Sequence, residues 1–448
     1  MRAPDPDPRY VGAMTSRTSP HFLPLGGTGE IGMNLNLYHY DGSWLMVDAG
    51  VMFERTAGGG MRILMPEVGF IEQRRDQLAG LVITHAHQDH LGAVADLWPK
   101  LRCRVYATPF AAAMLEGPLA ERGLRGQVPI QVVTNDARFS VGPFQIERIP
   151  LTHSTVEMAA LLIDTPDTRI LHTGDFKLDS DPVAGDPLAR RRLQELGEHG
   201  VDVCVSDSTN ADEAGWTASE GSVHGPMERL LKQATGRVAV TLFSSNVARV
   251  TTLARIAHAV DRELVFAGRS LERTVLAAQK AGYLNDLPPV VPLRHYGYLP
   301  PERVLLLCTG SQGERRAALS RIATDEHPAY LAAGDTVMFS ARAIPGNELE
   351  LLRLRTLLEA KELNVITPDD ADIHTSGHPC QDELRQLYDW VRPRLVVPTH
   401  GTPKKLEAHA ALAESMGIRA VRMRNRERLD LGSGKIEGRV LPGRVARG

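Results

Sequence analysis

Residues 85 to 90 read His-Ala-His-Gln-Asp-His, four metal-ligand side chains within six positions. Imidazole and carboxylate are donors that Zn²⁺ takes readily, and two histidines one residue apart on a loop can point into one site. His85 and His87 have that spacing. Asp89 and His90 follow at once and can face a second ion across the turn, as in the two-metal clamps that support in-line phosphoryl displacement. Four residues cannot fill two coordination spheres. The chain offers three remote partners: His153 in Leu-Thr-His-Ser, Asp175 in His-Thr-Gly-Asp-Phe-Lys, and His400 in Val-Val-Pro-Thr-His-Gly. The chemistry expected is metal-assisted hydrolysis with two Zn²⁺ per chain, and Mn²⁺ suits the same N and O donors.

The elements that must position these residues are short β-branched runs ending in polar, glycine-containing tips. Trp44 to Val47 ends in Asp48, Leu81 to Thr84 in the histidine cluster, Arg169 to His172 in Gly174-Asp175, and Val201 to Val205 before Asp207. The same form recurs at Val238 to Phe243 before Ser244-Ser245-Asn246, at Leu264 to Phe266 before Gly268-Arg269-Ser270, and at Val304 to Cys308 before Thr309-Gly310-Ser311. Stretches with apolar spacing near 3.6, among them Ala248 to Val260, Leu271 to Ala281 and Glu348 to Ala360, read as helices between the strands. The class is α/β, and in open α/β sheets ligands collect beyond the carboxyl ends of strands, where these tips fall.

A chain of 448 residues is too long for one ordinary core and predicts two or three domains. With 43% hydrophobic and 23% charged residues and no long apolar run, it reads as a globular protein without a membrane partner. A net charge of −3 gives no overall basic character, so any nucleic acid must be held in a local groove. Cys103, Cys204, Cys308 and Cys380 form no CxxC pair, which argues against a disulfide framework and for a reducing cytoplasm. Residues 1 to 19 carry prolines and charges without an apolar core and are expected to be a disordered arm, with Met14 a second candidate start.

Taken in order, Asp48, His85 to His90, His153, Asp175 and His400 resemble the five motifs of the metallo-β-lactamase superfamily. Asp175 and His400 stand 225 positions apart, and the segment between them has its own strand and helix alternation. It resembles the β-CASP insertion of nucleic-acid-processing members. Within that group the chain is most similar to the bacterial ribonuclease J family, from Leu23 to about Gly443. The stretches that carry the likeness include residues 24 to 34 (PLGGTGEIGMN), Ser206-Asp207-Ser208-Thr209-Asn210, Thr309-Gly310-Ser311-Gln312-Gly313-Glu314, Ile344-Pro345-Gly346-Asn347-Glu348 and Ser376-Gly377-His378-Pro379.

The resemblance implies an αββα sandwich with an inserted α/β domain: residues 20 to 206 for the first part of the sandwich, 207 to 350 for the insertion and 351 to 448 for the completing part. His85, His87 and His153 would hold one zinc, Asp89, His90 and His400 the second, and Asp175 would bridge them. Asp48 would orient a ligating imidazole instead of ligating. Asp89, His378 and Asp207 would be catalytic, with His378 contacting the scissile phosphate. Ser244, Ser245, Asn246, Gly268, Arg269 and Ser270 would bind a 5′-phosphate, for which hydroxyls, an amide and backbone N–H groups at helix starts are suitable chemistry. His172 reads as structural, and Gly26-Gly27-Thr28-Gly29, lacking the lysine of a phosphate loop, as a tight turn near the site.

The implied activity is zinc-dependent hydrolysis of single-stranded RNA, 5′ to 3′ exonucleolytic with endonucleolytic cutting, leaving 5′-monophosphates. RNA is favoured over DNA as partner, and a homodimer is expected. The chain departs from the family at Gly401-Thr402, where an acidic residue usually follows the glycine, and at Ser154-Thr155-Val156-Glu157 in place of Ser-Ile-Pro. It ends at Gly448, where the family's further C-terminal domain would begin. A DNA nuclease of the same fold, a small-molecule metallo-hydrolase and a noncatalytic RNA-binding relative stand as alternatives. The long insertion argues against the second, and the complete ligand set against the third.

Overall fold

Strands whose residues are apolar at nearly every position can be buried on both faces, and several here are. Val201–Asp207 and Pro393–Thr399 are almost wholly buried and pair in parallel, with Asp207 opposite Thr399. A computed structural model describes residues 19–55, 61–344, 346–440 and 443–447. The expected N-terminal arm, with Met14, therefore lies outside the described residues apart from Ser19, as does Pro345.

Two large sheets form the body. The first runs Lys435–Arg439, Glu427–Asp430, His21–Gly26, Leu35–Tyr40, Ser43–Val47, Leu78–Val82, Val105–Ala107, Ile130–Val132. The second runs Arg419–Ala420, Pro393–Thr399, Val201–Asp207, Thr168–His172, Ala159–Thr165, Phe144–Pro150, Arg138–Val141. Their inner faces meet through Phe22, Tyr38, Val47 and Val82 on one side and Ile146, Ile163, Val205 and Val397 on the other. Helices Val94–Leu101 and Pro109–Glu121 cover the outer face of the first sheet, burying Leu97, Trp98, Phe110 and Leu115. Arg190–His199, Gln381–Val391 and Pro403–Ser415 cover the second through Leu193, Leu196, Leu384, Leu387 and Leu412. The layers are helix, sheet, sheet, helix: the expected αββα sandwich.

The inserted unit is a five-stranded, all-parallel sheet in the order Glu263–Ala267, Val304–Cys308, Val238–Thr241, Thr336–Phe339, Asn364–Ile366. Val247–Ala259 and Arg269–Lys280 pack on one face, and Ala318–Ala323 and Glu348–Glu359 on the other. Residue 350, expected as the boundary, falls inside the helix Glu348–Glu359. A parallel strand is reached by a crossover, so this helix and the strand it leads to, Asn364–Ile366, belong to the same unit. That strand is only three residues long and left little trace in the pattern.

Because the chain leaves the sandwich at Val201–Asp207 and returns through its neighbour Pro393–Thr399, Asp207 and His400 end up side by side. Among the described residues, no helix is long and apolar enough to cross a membrane, and all four cysteines are free and buried.

Candidate metal centre

Each candidate site residue sits just past a strand end: Asp48, expected to orient a ligand, after Ser43–Val47, and the candidate ligands His85 to His90 after Leu78–Val82, His153 after Phe144–Pro150, Asp175 after Thr168–His172 and His400 after Pro393–Thr399. The carboxyl ends of five strands from two sheets thus converge. Donor atoms of His85, His87 and His153 lie within 4.8 Å of one another, and so do those of Asp89, His90, Asp175 and His400. Asp175 stands between the two groups: its Oδ2 is 3.0 Å from His90 Nε2 and 4.0 Å from His85 Nε2, and its Oδ1 is 3.0 Å from His400 Nδ1.

His90 and His153 are aimed by hydrogen bonds from their far nitrogens. His90 Nδ1 lies 2.7 Å from Asp48 Oδ2, which leaves Nε2 facing Asp175. Asp48, fully buried and in the left-handed region at φ 64°, also accepts from the backbone N–H and the hydroxyl of Thr84. His153 Nδ1 donates to the carbonyl of Gly377 at 2.6 Å, leaving Nε2 3.0 Å from His87 Nδ1. A Cβ at 377 would come within 2.7 Å of the His153 ring, so this approach requires glycine. Thr209 Oγ1 is 3.0 Å from His400 Nδ1, and Asn34 Nδ2 is 3.0 Å from His90 Nε2.

A divalent cation fits this donor set. Among the described residues, His85 Nε2 and His87 Nε2 are buried with no hydrogen-bond partner, a costly arrangement unless another group engages them. Burial drives His85 and His153 well below the ordinary imidazole range and His87 to about 4, so all three are neutral lone-pair donors near neutral pH. On the other side, burial opposes ionisation of Asp175 and Asp89, yet the His400 and His90 rings outweigh it and hold both carboxyls well below their usual range. The same carboxylates push His90 and His400 well above theirs despite burial. This half of the site favours positive charge, which a divalent ion supplies.

His378 and Asp207 join the edge of the cluster. His378 Nδ1 is 2.7 Å from Asp207 Oδ2, and the ring centroid lies 5.0 Å from that of His153 and 5.6 Å from that of His400. Burial lowers the His378 pKa, but the buried Asp207 carboxylate outweighs it and the ring is raised above its ordinary value. Asp207 and His378 also form a third possible donor group with Asp175 and His400. His172 stays outside all these groups; its Nδ1 pairs with Tyr38 Oη at 2.9 Å, and burial lowers it to about 4.

The phosphate candidates lie on the inserted sheet. Its strand order places the tips after Val238–Thr241 and Glu263–Ala267 on either side of the tip after Val304–Cys308, all at one carboxyl edge. Asn246 is the N-cap of Val247–Ala259, and its Oδ1 accepts from Arg249 N at 2.8 Å, so that oxygen serves the helix. Gly268 precedes Arg269–Lys280 at φ 132°, while Arg269 and Ser270 are exposed. Among the described residues, no hydrogen bond joins Ser244, Ser245, Gly268, Arg269 or Ser270 to the metal cluster.

Sequence reasoning missed the supporting residues Thr84, Thr209, Asn34, Gly377 and Arg148. The first four stand within a few positions of a recognised motif, which was their only signal. Arg148 gave none, yet its buried guanidinium donates to the carbonyls of Ile83 and Thr84, immediately before His85. The glycine loop does lie at the site: Gly27 O accepts from His400 N, and Gly32 N donates to His400 Nε2.

Fold and site together define a metal-dependent hydrolase of the metallo-β-lactamase type carrying a β-CASP insertion. Residues 43–238 match the β-lactamase superfamily domain, 235–357 the ribonuclease J β-CASP domain, and 371–423 the Zn-dependent metallo-hydrolase RNA specificity domain. The chain is 43% identical over 422 residues to ribonuclease J of Sinorhizobium meliloti, covering 93% of this chain and 75% of that one. Ribonuclease J of Mycolicibacterium smegmatis is 38% identical, with 94% of this chain and 76% of that one covered. For Helicobacter pylori strain B128 the identity is 36%, and the chain spans 60% of that relative. A crystal structure of a protein of unknown function from Enterococcus faecalis V583 shares the fold, with a TM-score of 0.64 at 15% identity over 92% of this chain and 100% of that one. The chain belongs to the ribonuclease J family, and its site is that of a metal-dependent phosphodiesterase.

Proposed function

We propose that the protein is a zinc-dependent ribonuclease acting on single-stranded RNA in the cytoplasm. It removes nucleotides from the 5′ end, cuts internally where a strand can thread, and leaves 5′-monophosphates; the working form is a homodimer. RNA is favoured over DNA because the relatives are named ribonuclease J and residues 371–423 match an RNA specificity domain. The observation that carries the reading is the Asp207–His378 pair set against the seven-ligand cluster.

His85, His87 and His153 would hold one zinc, and Asp89, His90 and His400 the other, with Asp175 between. When bound, the metals supply Lewis acidity at the phosphate and lower the pKa of the attacking water. The remaining work falls to the chain. Asp207 holds His378 by Nδ1 and favours its protonated form, so Nε2–H is available to the substrate. As water attacks phosphorus in line and the P–O3′ bond breaks, this N–H donates to a nonbridging oxygen or to the departing 3′ oxygen. The phosphate stays on the 5′ oxygen of the downstream nucleotide. The 244–246 and 268–270 tips would receive the terminal 5′-phosphate.

The test is incubation of zinc-loaded protein with 5′-phosphorylated and 5′-hydroxyl single-stranded RNA and DNA, with His85→Ala as control. RNA cleavage to 5′-monophosphates, abolished by the substitution, is expected. No cleavage of any polymer, or cleavage that survives His85→Ala, overturns the proposal; DNA cleavage with RNA left intact replaces it with a DNA nuclease.

A further inference from the structure

A chain of buried charge runs from the metal centre into the inserted domain. Lys177 and Asp179 follow Asp175 closely, lie 3.4 Å apart and are both nearly inaccessible. Lys177 Nζ donates to the carbonyl of Ala218. Asp179 Oδ2 accepts from Ser219 Oγ at 3.0 Å and from the backbone N–H of Glu220 at 2.8 Å. The Glu220 carboxylate in turn accepts from both Nε and Nη2 of Arg249, at 2.7 and 3.1 Å.

Arg249 has no exposed surface, and its guanidinium bonds reach three separate segments. Besides Glu220, its Nη1 donates to Ser340, past the strand Thr336–Phe339, and to the carbonyl of Ile373 at 3.1 Å. Its backbone N–H is the donor to Asn246 Oδ1 in the tip 244–246. Ile373 begins the stretch that bears Gly377, the partner of His153, and His378; Thr375 Oγ1 ties the same stretch to Ala218 at 2.7 Å. Arg249 therefore stands one helical turn past the tip, which its backbone N–H meets, while its guanidinium ties that helix start to the stretch leading to His378 and to the connector leading back to Asp175.

A buried ion pair is a poor source of net stability, since desolvation of both charges offsets their attraction. It does impose geometry, and a planar guanidinium fork meeting a carboxylate bidentately imposes more than a point charge can. We infer that the Glu220–Arg249 pair is a positioning device that sets the span between the 244–246 tip and the metal centre, and with it the preference for a 5′-phosphorylated end. This rests on the nuclease reading above, in which the tip takes that phosphate. Neither residue touches the substrate; both act through the segments they hold.

Glu220→Gln and Arg249→Lys, both conservative in shape or charge, test this in the full chain, with circular dichroism and thermal unfolding as checks of folding. Fluorescence anisotropy in EDTA gives the affinity ratio of 5′-phosphorylated to 5′-hydroxyl RNA without cleavage. Hydrolysis of bis(4-nitrophenyl) phosphate by the zinc-loaded protein reports the metal centre alone. The ratio is expected to fall about tenfold in both variants, because small misplacements of a binding group are costly, while hydrolysis of the small diester stays within about twofold. A wild-type ratio retained by both variants overturns the inference alone, as does loss of diester hydrolysis in parallel with the ratio. A wild-type protein with no preference for the phosphorylated end overturns the 5′-end reading and the inference with it.

Discussion

Nδ1 of His378 lies 2.7 Å from Oδ2 of Asp207, a carboxylate with almost no exposed surface that also accepts from the backbone N–H and hydroxyl of Thr209. The pair joins the last residue of a sandwich strand to a loop more than 150 residues later. Replacing Asp207 by Asn removes the charge that raises the His378 pKa. Single-turnover RNA cleavage should fall about 10²- to 10³-fold, as should that of His378→Ala. The double variant should be no worse than the poorer single one, because the two act as a unit; additive losses would show independent roles.

Asp48 sits behind the imidazole of His90, through which it would act on a bound metal. Asp48→Asn should therefore weaken zinc binding about 10- to 100-fold without abolishing it. Competition with a chromophoric chelator, alongside elemental analysis expected to return two zinc ions per wild-type chain, measures this. Unchanged affinity would separate Asp48 from the metal site.

Arg148 is buried and donates to the carbonyls of Ile83, Thr84 and Glu157 and to the side chain of Asn135. Burial lowers its pKa to about 10 against the pull of the Glu157, Asp48 and Asp186 carboxylates, still well above neutrality, so the charge persists. Arg148→Met leaves several buried acceptors unpaired and should cost about 3 kcal/mol or more in urea unfolding of the metal-free protein. Since those carbonyls immediately precede His85, zinc affinity should drop as well. A cost below about 1 kcal/mol would show that the strand end holds its shape without the guanidinium.

Burial alone would raise the Asp179 pKa, but the Glu220 N–H and the Lys177 ammonium outweigh it, and the carboxyl is held below its ordinary value. The stabilisation is then fully present above the usual aspartate range, about 3.9, and is lost as pH falls through the lower folded-state value. Asp179→Asn should be less stable than the wild type at pH 7, and the gap should close as pH falls below the usual aspartate range, about 3.9, and through the lower folded-state value. A gap that stays constant with pH would mean that the charge contributes nothing.

Much of the site was legible before the fold. Four ligand-type residues in six positions, with His153, Asp175 and His400 beyond apolar runs, carry a chemical pattern that needs no geometry to notice. The supporting residues were not legible, because threonine, asparagine and glycine are ordinary loop residues until a partner is placed opposite them. The strand Asn364–Ile366 was not legible either, since three residues are too few to show a period of two. Asn246 was read for phosphate, and its oxygen is bonded to the helix it starts.

What the sequence by itself determined is the chemistry: which donors are present, that they fall at strand ends, and that a large α/β unit separates Asp175 from His400. The tertiary structure decided which atoms meet. Parallel pairing of Val201–Asp207 with Pro393–Thr399 brings the two ends of the insertion together, so Asp207 and His400 become neighbours and His378 folds back onto them. Register between distant strands is set by packing of the whole sheet, not by local spacing. For that reason the cluster at His85 to His90 could announce a metal site, while only the fold could show how Asp48, Gly377 and Thr209 orient His90, His153 and His400.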